Sequence, residues 1–293
     1  MKKLFVLGLL FLSQTILAQI PYGSNTKVGK RAQVGDISMY YEIYGKGEPL
    51  ILLHGGFGSS EMMGGMIEAF SKKYQVIAVD SRSQGRTTDS DEKELTYTQM
   101  ALDLNGFMDK LQIKKAKFVG WSDGGNIALE LALVHPEKIV KAVAMGANFL
   151  GASHGVFLGA DTTWRMNPND PLFAKTKNEL AKYFSTYDRM APDKSKISTS
   201  RQKVTENSVK NPNFTLAQLN SIQVPFLIMA GDHDMFTLEH TMALYQNLPQ
   251  ASLYIVPDAT HISPFEEPEL VHAEILRYLA KPYRKLDAFY FWK

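Results

Sequence analysis

The chain has 293 residues, 45% apolar and 21% charged. That balance suits one large domain with a substantial core and excludes collagen, coiled coil and wholesale disorder. With no cysteine, disulfides, thiolate metal sites and cysteine nucleophiles are excluded. The 32 basic and 30 acidic residues form no basic stripe and no charge run, so no nucleic-acid partner is expected.

The first expected element is a leader. Met1-Lys2-Lys3 is basic, Leu4 to Leu17 is an apolar run broken only by Ser13, Gln14 and Thr15, and Ala18 precedes Gln19. This is the layout of a secretory signal peptide cut after Ala18, with a run too short to span a bilayer comfortably. Export without a stable membrane anchor, to a periplasmic or secreted location, is therefore expected. Cleavage removes Lys2 and Lys3 and no acid, which leaves a mature chain with 30 basic and 30 acidic residues.

Residues 31–44 alternate, with Ile37, Met39, Tyr41 and Ile43 on one face, and predict an antiparallel edge hairpin. Short continuous apolar runs follow at 50–53, 76–79, 118–119, 140–145, 226–229 and 253–256. Such runs suit strands covered on both faces. Helical patterns lie between them near 60–73, 97–111, 123–134, 237–247 and 266–280. The alternation predicts an α/β fold, a mostly parallel central sheet with helices on both faces. It breaks once, between about 147 and 223, where helical stretches occur without a strand. Asp170-Pro171 starts one such helix, and 196–210 predicts another. The expected organisation is a core of 19–146 and 224–293 with a helical cap, 147–223, inserted over the carboxyl edge of the sheet.

The chemistry is concentrated where strands end. Gly120-Trp121-Ser122-Asp123-Gly124 sits between the strand ending at Val119 and the helix beginning at Asn126. A sharp strand-to-helix turn lifts a serine hydroxyl above the sheet, provided the residues two before and two after are small. Ser122 has Gly120 and Gly124 at those places. An Asp123 nucleophile would put Trp121 there instead. A serine needs a base, and the base needs an orienting acid. His261 lies in the loop after the last strand, and Gly231-Asp232-His233-Asp234 ends the strand before it. Asp234 is the favoured acid, while Asp232 suits hydrogen bonds to the loop backbone. The backbone N–H of Asp123, with that of Gly56 or Phe57 in His54-Gly55-Gly56-Phe57-Gly58, would form an oxyanion hole.

With these residues in place, the chain resembles the α/β-hydrolase superfamily over about residues 28–282. The resemblance rests on Leu-Leu-His-Gly-Gly at 52–56, Val79-Asp80-Ser81-Arg82 with Gly85, the elbow at 120–125, Gly-Asp-His-Asp at 231–234, and Thr260-His261 with Glu267-Pro268. Ser83 departs from the usual glycine after the arginine. The elbow, with Met145-Gly146-Ala147-Asn148, is similar to the biphenyl-hydrolase-like group, which includes valacyclovirase, an amino-acid-ester hydrolase. Carbon–carbon bond hydrolases of the superfamily usually carry Trp after the catalytic histidine, where this chain has Ile262.

The resemblance implies a cofactor-free and metal-free serine hydrolase of a small carboxylic ester, acting through an acyl-enzyme. Aminopeptidase action on an amide, acyl transfer, and ligand capture without catalysis are the alternatives on the same fold. Asp123 is a separate question. An anion about 6 Å from a forming oxyanion costs roughly 3 kcal/mol at an effective dielectric of ~20. A substrate ammonium beside Asp123 would offset that cost, whereas an Asp123 turned aside to pair with a loop donor would avoid it.

Overall fold

A computed structural model of the chain describes residues 20–90, 94–156 and 185–286. The leader expected over 1–18 and the helix expected at Asp170-Pro171 lie outside them. Among the described residues no helix is long and apolar enough to cross a membrane.

Eight strands form one sheet in the order β1-β2-β4-β3-β5-β6-β7-β8. They are β1 (Lys30–Val34), β2 (Ile37–Tyr44), β3 (Pro49–Leu53), β4 (Gln75–Val79), β5 (Ala116–Trp121), β6 (Ile139–Met145), β7 (Phe226–His233) and β8 (Ala251–Thr260). The β1–β2 and β2–β4 pairs are antiparallel and all others parallel. Successive side chains of a strand point to opposite faces, and β3 shows the consequence. Leu50 and Leu52 enter one buried cluster, with Ile67 and Phe70 of α1 (Gly64–Phe70) and Ile275 of α8 (Pro268–Ala280). Ile51 and Leu53 enter the other, with Leu104 of α2 (Tyr97–Lys110), Leu131 of α3 (Asp123–Val134) and Leu244 of α6 (Leu238–Gln246). Burial on both faces is why these strands read as unbroken apolar runs.

The expected antiparallel hairpin is β1–β2, with β1 at the sheet's edge. β2 is an inner strand, and its second face is buried too. Glu42 there is fully buried and accepts from the Tyr40 and Tyr44 hydroxyls, each at 2.6 Å, and from the N–H groups of Gly23 and Asn25, each at 2.9 Å. One carboxylate with four donors thus ties residues 23–25 to the sheet.

Between β6 and β7 the described residues contain α4 (Ile197–Lys210) and α5 (Leu216–Ser221), with one isolated bridge, Leu150 to Asn213, and no strand of the sheet. Thr215 and Gln218 form a capping box that starts α5. This segment is held to the core by the Tyr187 hydroxyl, which donates to the Ser83 carbonyl at 2.9 Å. Lys203 adds a contact to Asp89, also at 2.9 Å.

Candidate active site

The elbow follows from sterics. Ser122 has φ 53° and ψ −118°, a conformation outside the ordinary regions for a side-chain-bearing residue. A Cβ on Gly120 would stand 2.2 Å from the Gly124 carbonyl oxygen, and one on Gly124 would stand 2.2 Å from that of Leu53 in β3. Only glycine fits at either position. Ser122 N–H donates to the Met145 carbonyl at 2.7 Å, which fixes the turn against β6. Asp123 opens α3, so its N–H precedes the first intrahelical bond and lies at the positive end of the helix.

Three side chains from the ends of three strands meet above the sheet. His261 Nε2 lies 3.0 Å from Ser122 Oγ, and His261 Nδ1 lies 2.8 Å from Asp234 Oδ1. The buried Asp234 oxygen also accepts from Phe236 N–H at 3.2 Å. Nδ1 facing a carboxylate carries the proton, which leaves Nε2 as an acceptor for the serine hydroxyl. Asp232 lies elsewhere. Its two oxygens accept from the Asp258 and Ala259 N–H groups at 3.1 Å, and so shape the loop that carries His261.

The glycine loop packs against the elbow. A Cβ on Gly55 would meet the Trp121 ring at 2.9 Å and the Ser122 Cβ at 3.2 Å, and one on Gly56 would meet Asp123 Oδ2 at 2.7 Å. Phe57 takes φ 60°, which turns the chain at this point. The structure therefore brings Gly56, Phe57 and Asp123 beside Ser122. His54 of this loop is fully buried. It accepts from Ser81 N–H through Nε2 at 3.0 Å and donates through Nδ1 to the Gly55 carbonyl at 2.8 Å. Burial lowers its pKa and keeps it neutral, so its part is to hold the loop. His240 is likewise occupied. Burial lowers its pKa to about 4, Nε2 accepts from Phe149 N–H, and the ring stacks on Phe149.

Asp123 turns its side chain neither fully aside nor to a loop donor. Oδ1 accepts from the hydroxyl of Tyr97, the first residue of α2, at 2.7 Å, while Oδ2 is buried with no partner among the described residues. Burial pushes its carboxyl up to about 6, against the Tyr97 hydrogen bond and the nearby His261, which both favour the anion. A cavity of about 270 Å³ opens over Ser122. Its lining includes Phe57, Trp121, Phe236 and Ile262, the Asp123 carboxyl, and Val204 and Ser208 from one face of α4. Among the described residues no cluster of three or more His, Asp or Glu could hold a metal ion.

Several residues of the site carried no local signal. Trp121 Nε1 donates to the His261 carbonyl at 2.9 Å across 140 positions of sequence. Gly146, at φ 55°, leaves room for His261: a Cβ there would stand 2.8 Å from its ring. Glu266, the last residue of α7 (Ser263–Glu266), accepts from the N–H and hydroxyl of Thr260, at 2.7 and 2.9 Å, and fixes the residue before His261. The glycine loop, the elbow and the Gly-Asp-His-Asp segment are recognisable as short patterns along the chain, whereas these contacts exist only after folding.

Comparison with known proteins agrees with the fold. A family described as alpha/beta hydrolase fold matches residues 48–268, and the chain belongs to that family. It is similar to the uncharacterized hydrolase YugF of Bacillus subtilis (strain 168), 26% identical over 270 residues that cover 85% of this chain and 97% of the relative. It is also similar to the uncharacterized carboxylesterase nap of the same organism, 27% identical over 258 residues and 78% of each chain. Among solved structures, MGS-M2, an alpha/beta hydrolase enzyme from a Medee basin deep-sea metagenome library, shares the fold. Its TM-score is 0.71 at 22% identity, with 88% of this chain and 99% of that one covered. The protein is thus a hydrolase-family enzyme, with relatives that include a carboxylesterase.

Proposed function

We propose that this protein hydrolyses small carboxylic esters through an acyl-enzyme, with Ser122 as nucleophile, His261 as base and Asp234 as orienting acid. The observation that carries the reading is the unbroken relay from Asp234 to His261 Nδ1 and from His261 Nε2 to Ser122 Oγ, at the floor of a small, mainly apolar cavity. Ser122 Oγ attacks the ester carbonyl as its proton passes to His261 Nε2. The tetrahedral oxyanion is held by backbone N–H groups of Asp123 and of the Gly56–Phe57 turn. The imidazolium returns its proton to the leaving alcohol as the carbon–oxygen bond breaks. Water, deprotonated by the same nitrogen, then releases the acid and restores Ser122. A fluorophosphonate probe should label Ser122 rapidly. Ser122→Ala should lower kcat/KM on p-nitrophenyl acetate by about 10⁵-fold, with an unchanged circular dichroism spectrum. Near-native turnover by that variant, or no labelling of folded protein, would favour ligand capture over catalysis.

One observation favours a narrower substrate. Asp123 is in the wall of the cavity, and its Oδ2 is buried and unpartnered among the described residues. A buried anion with an open oxygen is stabilised by a cation, so an α-ammonium on the acyl group would occupy it and offset its repulsion of the oxyanion. Aminoacyl esters are the class this supports. Asp123→Asn should lower kcat/KM tenfold or more for a phenylalanine ester, and much less for the matching 3-phenylpropanoate ester. Equal losses on both would leave a generic esterase.

A further inference from the structure

The catalytic groups occupy the carboxyl ends of the strands. At the opposite edge lies a second cavity, about 530 Å³, floored by Lys141, the third residue of β6, and bounded by the end of α8 and the segment after it. Nine described residues line it. Four are cations, Lys141, Arg277, Lys281 and Arg284, and none is an acid.

Lys141 is the unusual member. It is only 5% exposed and stands in register with Lys117 on the neighbouring strand, so one ammonium is buried near another. Lys117 has a carboxylate partner, Glu48 at 2.7 Å. Lys141 does not. Its Nζ donates to the carbonyls of Tyr278 and Lys281, at 2.9 and 2.5 Å, and lies 4.0 Å from the Tyr278 ring centroid. These contacts cap α8, but they are neutral. Burial, and then Lys117, pull its pKa down to about 8, as follows for a buried ammonium with no counter-charge. Arg277 is paired with Glu274, whereas among the described residues no carboxylate lies in ion-pair range of Lys141, Lys281 or Arg284. A further donor is open: the hydroxyl of Tyr278, which also lines the cavity, is buried without a partner among the described residues.

We propose that this cavity binds an organic oxyanion, a carboxylate or phosphate on an apolar body, with Lys141, Lys281 and Arg284 as its counter-charges. The ligand's charged group supplies the anion that Lys141 lacks. Leu286 and the tyrosine rings of the wall suit an apolar body, and the volume exceeds what a bare ion needs. The site does not share a lining residue with the catalytic cavity.

Isothermal titration in about 0.15 M salt, where long-range attraction between exposed charges is largely screened, tests the proposal with phenyl phosphate, benzoate and inorganic phosphate. Phenyl phosphate or benzoate should bind one to one, and which of them binds more tightly assigns the anion. Lys281→Ala/Arg284→Ala should weaken that binding tenfold or more while p-nitrophenyl acetate turnover stays unchanged. Ser122→Ala should bind like the wild type. Lys141→Met, if it folds, should bind more weakly still. Absence of binding by the wild type, an unchanged Kd in the double variant, or a loss in Ser122→Ala that puts the ligand in the catalytic cavity would each overturn the proposal. Inorganic phosphate binding as tightly as phenyl phosphate would overturn its apolar half.

Discussion

Two loops at the carboxyl edge of the sheet handle buried charge in opposite ways. In the loop after β4, Arg82 is 1% exposed and fully answered. Its Nε and Nη2 donate to Asp103 at 2.7 and 2.8 Å, Nη1 and Nη2 reach Asp36 at 3.1 and 2.8 Å, and Nη1 also meets Asp89 at 3.3 Å. Lys203 of α4 balances Asp89 from the far side. In the turn after β5, Asp123 is also buried but only half answered, with Tyr97 on one oxygen and nothing described on the other. A charge whose every polar atom is satisfied has nothing left for a ligand and serves stability. A charge left incomplete inside a cavity is held at a cost to the fold that a ligand can relieve. The same contrast separates Asp232, spent on two backbone N–H groups, from Asp234, which faces His261.

The largest effect should come from that second pair. Asp234→Asn is expected to lower kcat by up to ~10⁴-fold, as in the comparable serine proteases, because an amide favours the wrong imidazole tautomer. Asp232→Asn should cost far less, since one amide oxygen can still accept from Asp258 or Ala259 N–H. Steady-state kinetics on a single ester decides it. Equal losses would erase the distinction between spent and facing carboxylates.

Next in size is Arg82→Met. It strands Asp103 and Asp36, and breaking a buried pair from one side costs about 3–5 kcal/mol. Urea denaturation should show this loss with labelling of Ser122 retained in the folded fraction. A loss below about 1 kcal/mol would mean the cluster is not the structural unit its geometry describes.

The smallest effect sharpens the comparison most. The Asp123 carboxyl is raised to about 6 in the fold from an ordinary value near 3.8. The folded chain therefore keeps a proton that the unfolded chain releases as pH rises through this window. Stability from this group is present at low pH and is lost between about pH 4 and 6, by about 3 kcal/mol at most. Asp123→Asn has no such loss. Relative to the wild type it should be more stable at pH 7 than at pH 4, as read from the difference in Tm at the two pH values. A difference that does not change with pH would show that Asp123 is not strained as an anion.

The sequence by itself determined every element whose cause is local. Apolar runs specify strands covered on both faces, because such a strand has no solvent side on which to alternate. Gly120 and Ser122 specify the elbow, because a Cβ at Gly120 would strike the carbonyl of Gly124 four residues on. The order serine, acid, histidine specified which strand ends should converge. Tertiary structure alone decided what depends on residues remote in sequence. Burial of β2 on both faces required the segment at 23–25 to fold back onto Glu42. The sequence favoured Asp234 over Asp232 as the acid, but the N–H groups that occupy Asp232, those of Asp258 and Ala259, were supplied by the packing of β8 beside β7. Trp121 could hold the His261 carbonyl, and Tyr97 could half-satisfy Asp123, only after α2, β5 and β8 had been packed together. Local sterics can be read from neighbours along the chain. A charge's partners, and whether it has enough of them, are set by which surfaces the fold brings together.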